Sequence, residues 1–212
     1  MPTVRKPLRS SALLFALLLA RSAHAESSIA PTTPTAVIER FYAVLLDSMK
    51  QANTLGYEGR RDKLAPVVEQ TYDFPFMAKV ATGKYWKELD PAAQQRFIDT
   101  FTRLTVANYA GRFNGYDGEN FVILSEGDGG QDTALVKTKL VPKDDNPVEL
   151  NYRLRQQDGS WRIIDVYLNG TVSELALHRA EYTAKIEREG FEALLHALED
   201  KITTLASGKA AD

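Results

Sequence analysis

The sequence predicts an α+β fold, in which a four-stranded antiparallel sheet has helices before and after it, packed on one face. Apolar residues recur at helical spacing in residues 35–112 and again from residue 171. Between residues 120 and 168 the spacing becomes two, which is typical of strands with one solvated face. Helices, then strands, then helices along one chain favour α+β over alternating α/β.

The amino terminus has the pattern of a cleavable secretory signal peptide. Arg5, Lys6 and Arg9 precede an apolar run, Ser11–Ala20, and Ala23–Ala25 offers a small-x-small cleavage site. The apolar run is shorter than the roughly 20 residues that span a bilayer. The predicted divisions of the chain are a signal peptide (1–25), a disordered leader (26–34), a single folded domain (35–205) and a flexible tail (206–212).

Composition narrows the class of protein. The chain has no cysteine, so disulfides, thiol catalysis and thiolate metal sites are excluded. Four of the 26 basic residues and none of the 28 acidic residues lie in 1–25, leaving 22 basic against 28 acidic residues and a formal net charge of −6. An acidic chain is a poor partner for nucleic acid or for an anionic membrane bound by bulk attraction. Export without cysteine fits the periplasm.

The helices before the sheet are predicted from apolar spacing and caps. The first runs from Thr35 to about Ala52 and is ended by glycines 56 and 59, and a short helix covers 61–70. Asp73 and Asp90, each followed closely by proline, are predicted N-caps of helices that reach Gly83 and about Arg112.

The strands are predicted from period-two spacing and turn residues. They cover 120–125, 133–141, 148–156 and 160–168. Gly127–Gly130 is predicted to be a turn, and Asp158–Gly159 a hairpin turn. Helical spacing returns at Thr171, and a last helix runs from Phe191 to about Leu205.

Few residues suggest catalysis or metal binding. His178 and His196 stand alone on helices and are interpreted as solvated. The pair Asp144–Asp145 lacks a distal glutamate and is interpreted as a solvated turn rather than a calcium site. Asp165, in an otherwise apolar strand, is either a hydrogen-bonded anchor or a base with a raised pKa, and the anchor is favoured. Asp73 is favoured as a simple cap. No cofactor is expected.

Apolar and aromatic residues occur on both layers of the predicted fold. They form either a plain core or the lining of a ligand cavity, and periodicity does not separate the two. The candidate cavity-lining residues are Phe76, Met77, Val80, Phe101, Leu104, Tyr109, Tyr152, Leu154, Val166, Leu168, Leu175, Tyr182 and Ile186.

The order and spacing of several motifs resemble the MlaC family of periplasmic phospholipid-binding proteins, also called toluene-tolerance auxiliary transport proteins. The resemblance covers roughly residues 34–202. The matching pieces are Tyr72-Asp73-Phe74 with Met77-Ala78, then Gly83 and Trp86, the Gln94–Phe97 helix leading to Tyr109 and Tyr116, Trp161–Val166, Asn169-Gly170 and Ser173.

After Gly170 the sequence departs from the usual pattern and looks more like HpnM, the hopanoid-associated branch of the family. The residues that carry this likeness are 170–176 and Arg179-Ala180-Glu181-Tyr182. The cargo implied by the resemblance is therefore a phospholipid or a hopanoid.

The resemblance implies a soluble shuttle without catalytic chemistry. Such a protein holds lipid tails in an apolar cavity that sheet and helices enclose, so the candidate cavity-lining residues become candidate lipid-binding residues. It exchanges lipid with membrane-bound transport proteins, here as a monomer. Lys79 and Lys84 are candidates for contact with a phosphate headgroup, although a solubilising surface role is favoured for each. Two alternatives remain open: an enzyme of similar cone-shaped α+β fold that uses Asp165, and an adaptor whose apolar groove receives a partner helix.

Overall fold

Residues 33–143 and 146–208 are described by a computed structural model, so the predicted signal peptide, most of the leader, the pair Asp144–Asp145 and the last four residues lie outside it. Six α-helices and five strands form an α+β fold. The helices are α1 (Pro34–Lys50), α2 (Ala52–Thr71), α3 (Phe74–Thr82), α4 (Pro91–Arg112), α5 (Glu174–Glu189) and α6 (Phe191–Ala206), with a 3₁₀ helix (Gly83–Glu88) after α3. The strands are β1 (Asn120–Gly130), β2 (Thr133–Val141), β3 (Val148–Gln157), β4 (Ser160–Leu168) and β5 (Val172–Ser173).

Side-chain caps begin the helices at the two positions predicted from sequence. Asp73 accepts a hydrogen bond from the Phe76 backbone N–H at 3.1 Å, and Asp90 accepts one from Ala93 at 2.7 Å. Each cap satisfies an orphan N–H and stabilises its helix by about 1 kcal/mol. Thr33 caps α1 in the same way, so this helix begins slightly earlier than predicted.

The predicted helix break holds at Gly56 but is wrong at Gly59. Helix α1 ends at Lys50, and α2 then runs from Ala52 to Thr71 with a kink at Gly56, where φ is 61°. Glycine adopts a positive φ with little strain, so Gly56 interrupts the helical backbone and joins two helical segments at a kink. Gly59 and Pro66 both lie inside α2.

The sheet has five strands in the order β1-β2-β3-β4-β5, all antiparallel, and not the four predicted. Asn169 and Gly170, both at positive φ, reverse the chain after β4. Val172 and Ser173 then pair with Leu168 and Tyr167 before α5 begins. The helix predicted from Thr171 therefore starts at Glu174, because its first residues form a strand too short to show periodicity.

The predicted turn at Gly127–Gly130 is also wrong. These residues continue β1, and the turn lies at Gln131 and Asp132, which have φ of 52° and 57°. A Cβ at Gly129 would lie 2.6 Å from the Thr133 hydroxyl oxygen, so glycine permits the close strand approach at a β-bulge.

The main core lies between one face of the sheet and the helices. Tyr152, Leu154 and Val166 point from the strands toward the helices and are nearly fully buried. Helices α1, α2, α3 and α5 contact the sheet, whereas α6 packs on α4 and α5. Across the described residues, no helix has both the length and the apolar character needed to cross a bilayer.

Candidate functional site

A pocket of about 160 Å³ lies between strands β3 and β4 and helices α4, α5 and α6. Its volume is close to the roughly 150 Å³ of an engineered apolar cavity that binds benzene. Its lining residues are Tyr72, Met77, Phe101, Thr105, Asn108, Tyr109, Arg112, Phe113, Leu150, Tyr152, Val166, Leu168, Glu174, Leu175, His178 and Lys201. The pocket is therefore apolar and aromatic on the sheet side, whereas the helix side combines Met77, Phe101 and Leu175 with polar and charged side chains.

The structure brings seven of the thirteen candidate lipid-binding residues together at this pocket: Met77, Phe101, Tyr109, Tyr152, Val166, Leu168 and Leu175. Four others, Leu104, Leu154, Tyr182 and Ile186, are buried in the surrounding core. Phe76 and Val80 line a separate surface depression, where the guanidinium of Arg155 lies 4.4 Å from the centre of the Phe76 ring. A role in lipid binding stays a prediction for all thirteen.

Tyrosine side chains form the inner end of the pocket. The hydroxyls of Tyr72 and Tyr109 share a hydrogen bond of 2.5 Å, and the Phe41 ring packs edge-on against both rings and against Tyr152. Burial raises the pKa of Tyr72, Tyr109 and Tyr152 well above the usual value, so all three phenols are neutral at neutral pH. The inner end thus combines aromatic faces with neutral hydroxyl groups.

His178 is not the solvated histidine predicted from sequence. Its ring stacks on Tyr182 with centroids 5.1 Å apart and meets Phe101 edge-on at 5.6 Å. Burial, together with the smaller effect of the positive charges of Lys201 and Arg112, lowers its pKa to about 4. The imidazole at this wall is therefore neutral at neutral pH. His196 is exposed, as predicted.

Glu174 is the carboxylate of this pocket. Burial raises its pKa, Arg112 and Lys201 oppose that rise, and Asp165 adds to it. Arg112 and Lys201 are exposed, so they mark the mouth, whereas Glu174 and Asn108 lie half-buried beside it.

Sequence reasoning missed these polar lining residues because a charged residue on a helix is usually solvated. One signal was present: Thr105, Asn108 and Arg112 follow Phe101 at helical spacing on the stripe that faces inward.

Asp165 acts as a structural anchor through three hydrogen bonds that its carboxylate accepts. One carboxylate oxygen accepts hydrogen bonds from the backbone N–H groups of Val166 (2.8 Å) and Leu175 (3.1 Å), and the other accepts one from the Ser173 hydroxyl at 2.6 Å. The carboxylate thereby joins β4 to β5 and to the first turn of α5. It places Leu175 at the pocket without lining the pocket itself.

Asp73 does more than cap α3. Its fully buried carboxylate also forms a 2.5 Å ion pair with Arg155 on β3. A buried carboxylate needs such a partner, so this pair fixes α3 against the sheet.

The two lysines predicted to contact a headgroup lie elsewhere. Lys79 and Lys84 are exposed and are not part of the pocket lining, and the Lys84 ammonium lies 4.9 Å from the centre of the Tyr85 ring.

Within residues 33–143 and 146–208, no group of three or more histidine, aspartate or glutamate residues has the arrangement of a metal site.

The fold and the pocket define a class: α+β proteins with helices on one face of an antiparallel sheet and a pocket between the layers. Residues 39–200 match the family model described as MlaC protein, and the chain belongs to the MlaC family.

A solved structure of similar fold is that of a phospholipid-binding protein from Ralstonia solanacearum in complex with a phospholipid. The TM-score is 0.67 at 21% identity, covering 81% of this chain and 97% of the other. Comparison with curated proteins finds no match.

Proposed function

We propose that the protein is a non-catalytic, monomeric carrier that binds lipid tails at this pocket and moves the lipid across the periplasm between inner- and outer-membrane components. The observation that carries the proposal is the pocket of aromatic and aliphatic side chains between sheet and helices in a member of the MlaC family. The phospholipid complex of the similarly folded Ralstonia solanacearum protein supports it. The predicted signal peptide and the acidic, cysteine-free body fit work in that compartment.

Tail burial supplies the binding energy in this proposal. Each CH₂ removed from water contributes about 0.8 kcal/mol, so an apolar lining suffices for tight binding without a cofactor. A pocket of about 160 Å³ is too small for acyl chains or a fused ring system. Lipid entry therefore requires α6 to move away from α4 and α5. That movement adds Leu104, Tyr182 and Ile186, which now lie in the adjoining core, to the lining.

The polar contacts between α6 and α4 are compatible with this movement, which also has to expose the buried Leu194, Leu195 and Leu198 of α6. Two ion pairs, Arg96–Glu192 and Arg103–Glu199, join the helices at the surface. Exposed ion pairs of this kind contribute about 0–1 kcal/mol each. Gly190, at a φ of 88°, is the joint between α5 and α6.

The lipid is a phospholipid or, if the chain belongs to the HpnM branch, a hopanoid. Both present an apolar body to the pocket and differ in the group left at the mouth. The phospholipid is favoured by the charged side chains there.

Lipid extraction and native mass spectrometry of protein purified from cells test the proposal. We expect one lipid per chain, and we expect delipidated protein to take up phospholipid or hopanoid from vesicles. Absence of co-purified lipid together with no uptake would refute the carrier and favour the adaptor. Loss of a catalytic turnover in an Asp165→Asn variant would favour the enzyme.

A further inference from the structure

Polar side chains from three helices converge on the mouth of the pocket. Asn108 and Arg112 are one turn apart on α4, Glu174 and His178 are one turn apart on α5, and Lys201 comes from α6. Lipid tails cannot form hydrogen bonds with such groups, and burying a polar group beside apolar surface without a hydrogen bond is unfavourable. Their convergence therefore points to a polar part of the ligand.

The charges at the mouth act on one another through space, since Arg112 and Lys201 lower the pKa of Glu174, but they make no direct contact. Within the part of the chain that the structure describes, no hydrogen bond or ion pair engages the side chains of Arg112, Glu174 or Lys201. Farther along the same α4–α6 contact, Arg96 and Arg103 each pair with a glutamate of α6. At the pocket α4 presents Arg112 and α6 presents Lys201, and the unengaged N–H donors of these two side chains are available to an anion.

We infer that this cluster, which we call the mouth cluster (Asn108, Arg112, Glu174 and Lys201), binds a zwitterionic phosphate headgroup, with the phosphate between Arg112 and Lys201 and the ammonium group at Glu174. The planar guanidinium of Arg112 offers paired donors that match phosphate oxygens, and the Lys201 ammonium adds a second charge. Glu174 supplies the one negative charge of the mouth cluster, and neutral His178 does not compete with it. This inference rests on the proposed function and adds the class of headgroup.

Competition among lipids with the same tails isolates the headgroup. Delipidated protein is mixed with vesicles that contain equal amounts of phosphatidylethanolamine, phosphatidylglycerol and diacylglycerol, and bound lipid is counted by native mass spectrometry. We expect wild-type protein to prefer phosphatidylethanolamine over diacylglycerol by tenfold or more, since hydrogen bonds to charged groups are among the stronger ones. Phosphatidylglycerol should lie between them.

Three variants assign the contacts. Arg112→Gln with Lys201→Gln should lower the preference for phosphatidylethanolamine over diacylglycerol about tenfold or more, while diacylglycerol uptake stays unchanged. Glu174→Gln should lower the preference for phosphatidylethanolamine over phosphatidylglycerol several-fold. The matched control is Lys79→Gln with Lys84→Gln, which removes the same net charge at exposed positions away from the pocket and should leave all ratios unchanged.

The outcomes separate this inference from the proposed function. Equal uptake of all three lipids by wild-type protein, or unchanged ratios in the Arg112/Lys201 variant, overturns headgroup binding and leaves the carrier intact. A similar change in the Lys79/Lys84 control also overturns it, because bulk charge would then explain the preference. No uptake of any lipid overturns the carrier itself.

Discussion

A disulfide between α4 and α6 should keep the pocket closed. A Cβ built at Gly111 lies 3.8 Å from the Leu205 Cβ, which equals the typical Cβ separation of a disulfide, about 3.8 Å. Gly111 directly precedes Arg112, and Leu205 lies one turn after Lys201, so the bond would sit beside the mouth. Because the chain has no cysteine, Gly111→Cys with Leu205→Cys has no competing thiol.

The size of the effect follows from the loop that the bond closes. Roughly 95 residues separate the two positions. Loop-closure entropy for this length gives up to about 4.7 kcal/mol, and typical disulfides deliver about 2–4 kcal/mol. The free energy of unfolding, measured by urea denaturation of oxidised and reduced protein, should differ by that amount.

Lipid uptake is the decisive assay for the disulfide. Oxidised double variant should take up little lipid from vesicles, and reduction should restore uptake, because α6 is then free to leave α4. Each single-cysteine variant under the same oxidant is the control and should behave like wild type. Full uptake by the oxidised, disulfide-bonded protein would refute entry by separation of these helices.

Three further predictions concern stability and are read from urea unfolding. Asp165→Ala leaves two buried backbone N–H groups without their acceptor, so the free energy of unfolding should fall by about 3–5 kcal/mol, and by less in Asp165→Asn; a loss below 1 kcal/mol for alanine would contradict the anchor role. The pKa of His178 is about 4 in the folded chain against 6.5 in the unfolded chain, so the unfolded state binds more protons between pH 4 and pH 6.5. The contribution of neutral His178 to the free energy of unfolding is therefore present above pH 6.5 and is lost as the pH falls toward 4. His178→Leu should remove up to about 3 kcal/mol of that pH dependence, whereas Glu174, with a raised pKa, acts in the opposite sense in wild type and variant alike; an unchanged pH profile would contradict burial of the neutral ring. Gly129→Ala should destabilise by about 1–3 kcal/mol, because its Cβ would lie 2.6 Å from the Thr133 hydroxyl oxygen, and wild-type stability would show that the bulge relaxes freely.

Elements with a long period or a strong cap were predicted well from sequence. Helix α4 ends at Arg112 as expected, and β2 and β4 have the predicted bounds. These segments are long enough for the apolar period to identify the buried face, and Asp90 marks the start of α4 chemically. Gly83 and Gly190, too, follow the last residues of their helices.

The errors have a common cause, which is that tertiary contact decided the local structure. Glycines 127 and 130 form part of β1 because β2 pairs with them. The two residues of β5 are strand because Asp165 holds Ser173 and the first turn of α5 beside β4. Neither partner is visible in the local sequence window.

The sequence predicted some of the residues that line the pocket and missed others. Apolar periodicity finds residues that point inward, such as Phe101 and Tyr152, but does not tell a filled core from a lined pocket. Arg112, Glu174 and Lys201 come from three helices that are distant in sequence. Their meeting is a property of helix packing, so only the folded chain reveals it.

The Asp165 anchor gives the two sides of the pocket mouth different freedom. It ties the first turn of α5 to β4 through the Leu175 N–H and Ser173, so Glu174 and His178 belong to a stationary wall. Lys201 belongs to α6, which packs on α4 and α5, and in the proposed opening it forms part of the movable wall. Opening of the pocket would therefore change the distance from Lys201 to Glu174 while Glu174 stays in register with the strands. A pair of spectroscopic labels, one on each wall, would report loading and release of the cargo as a change in a single distance.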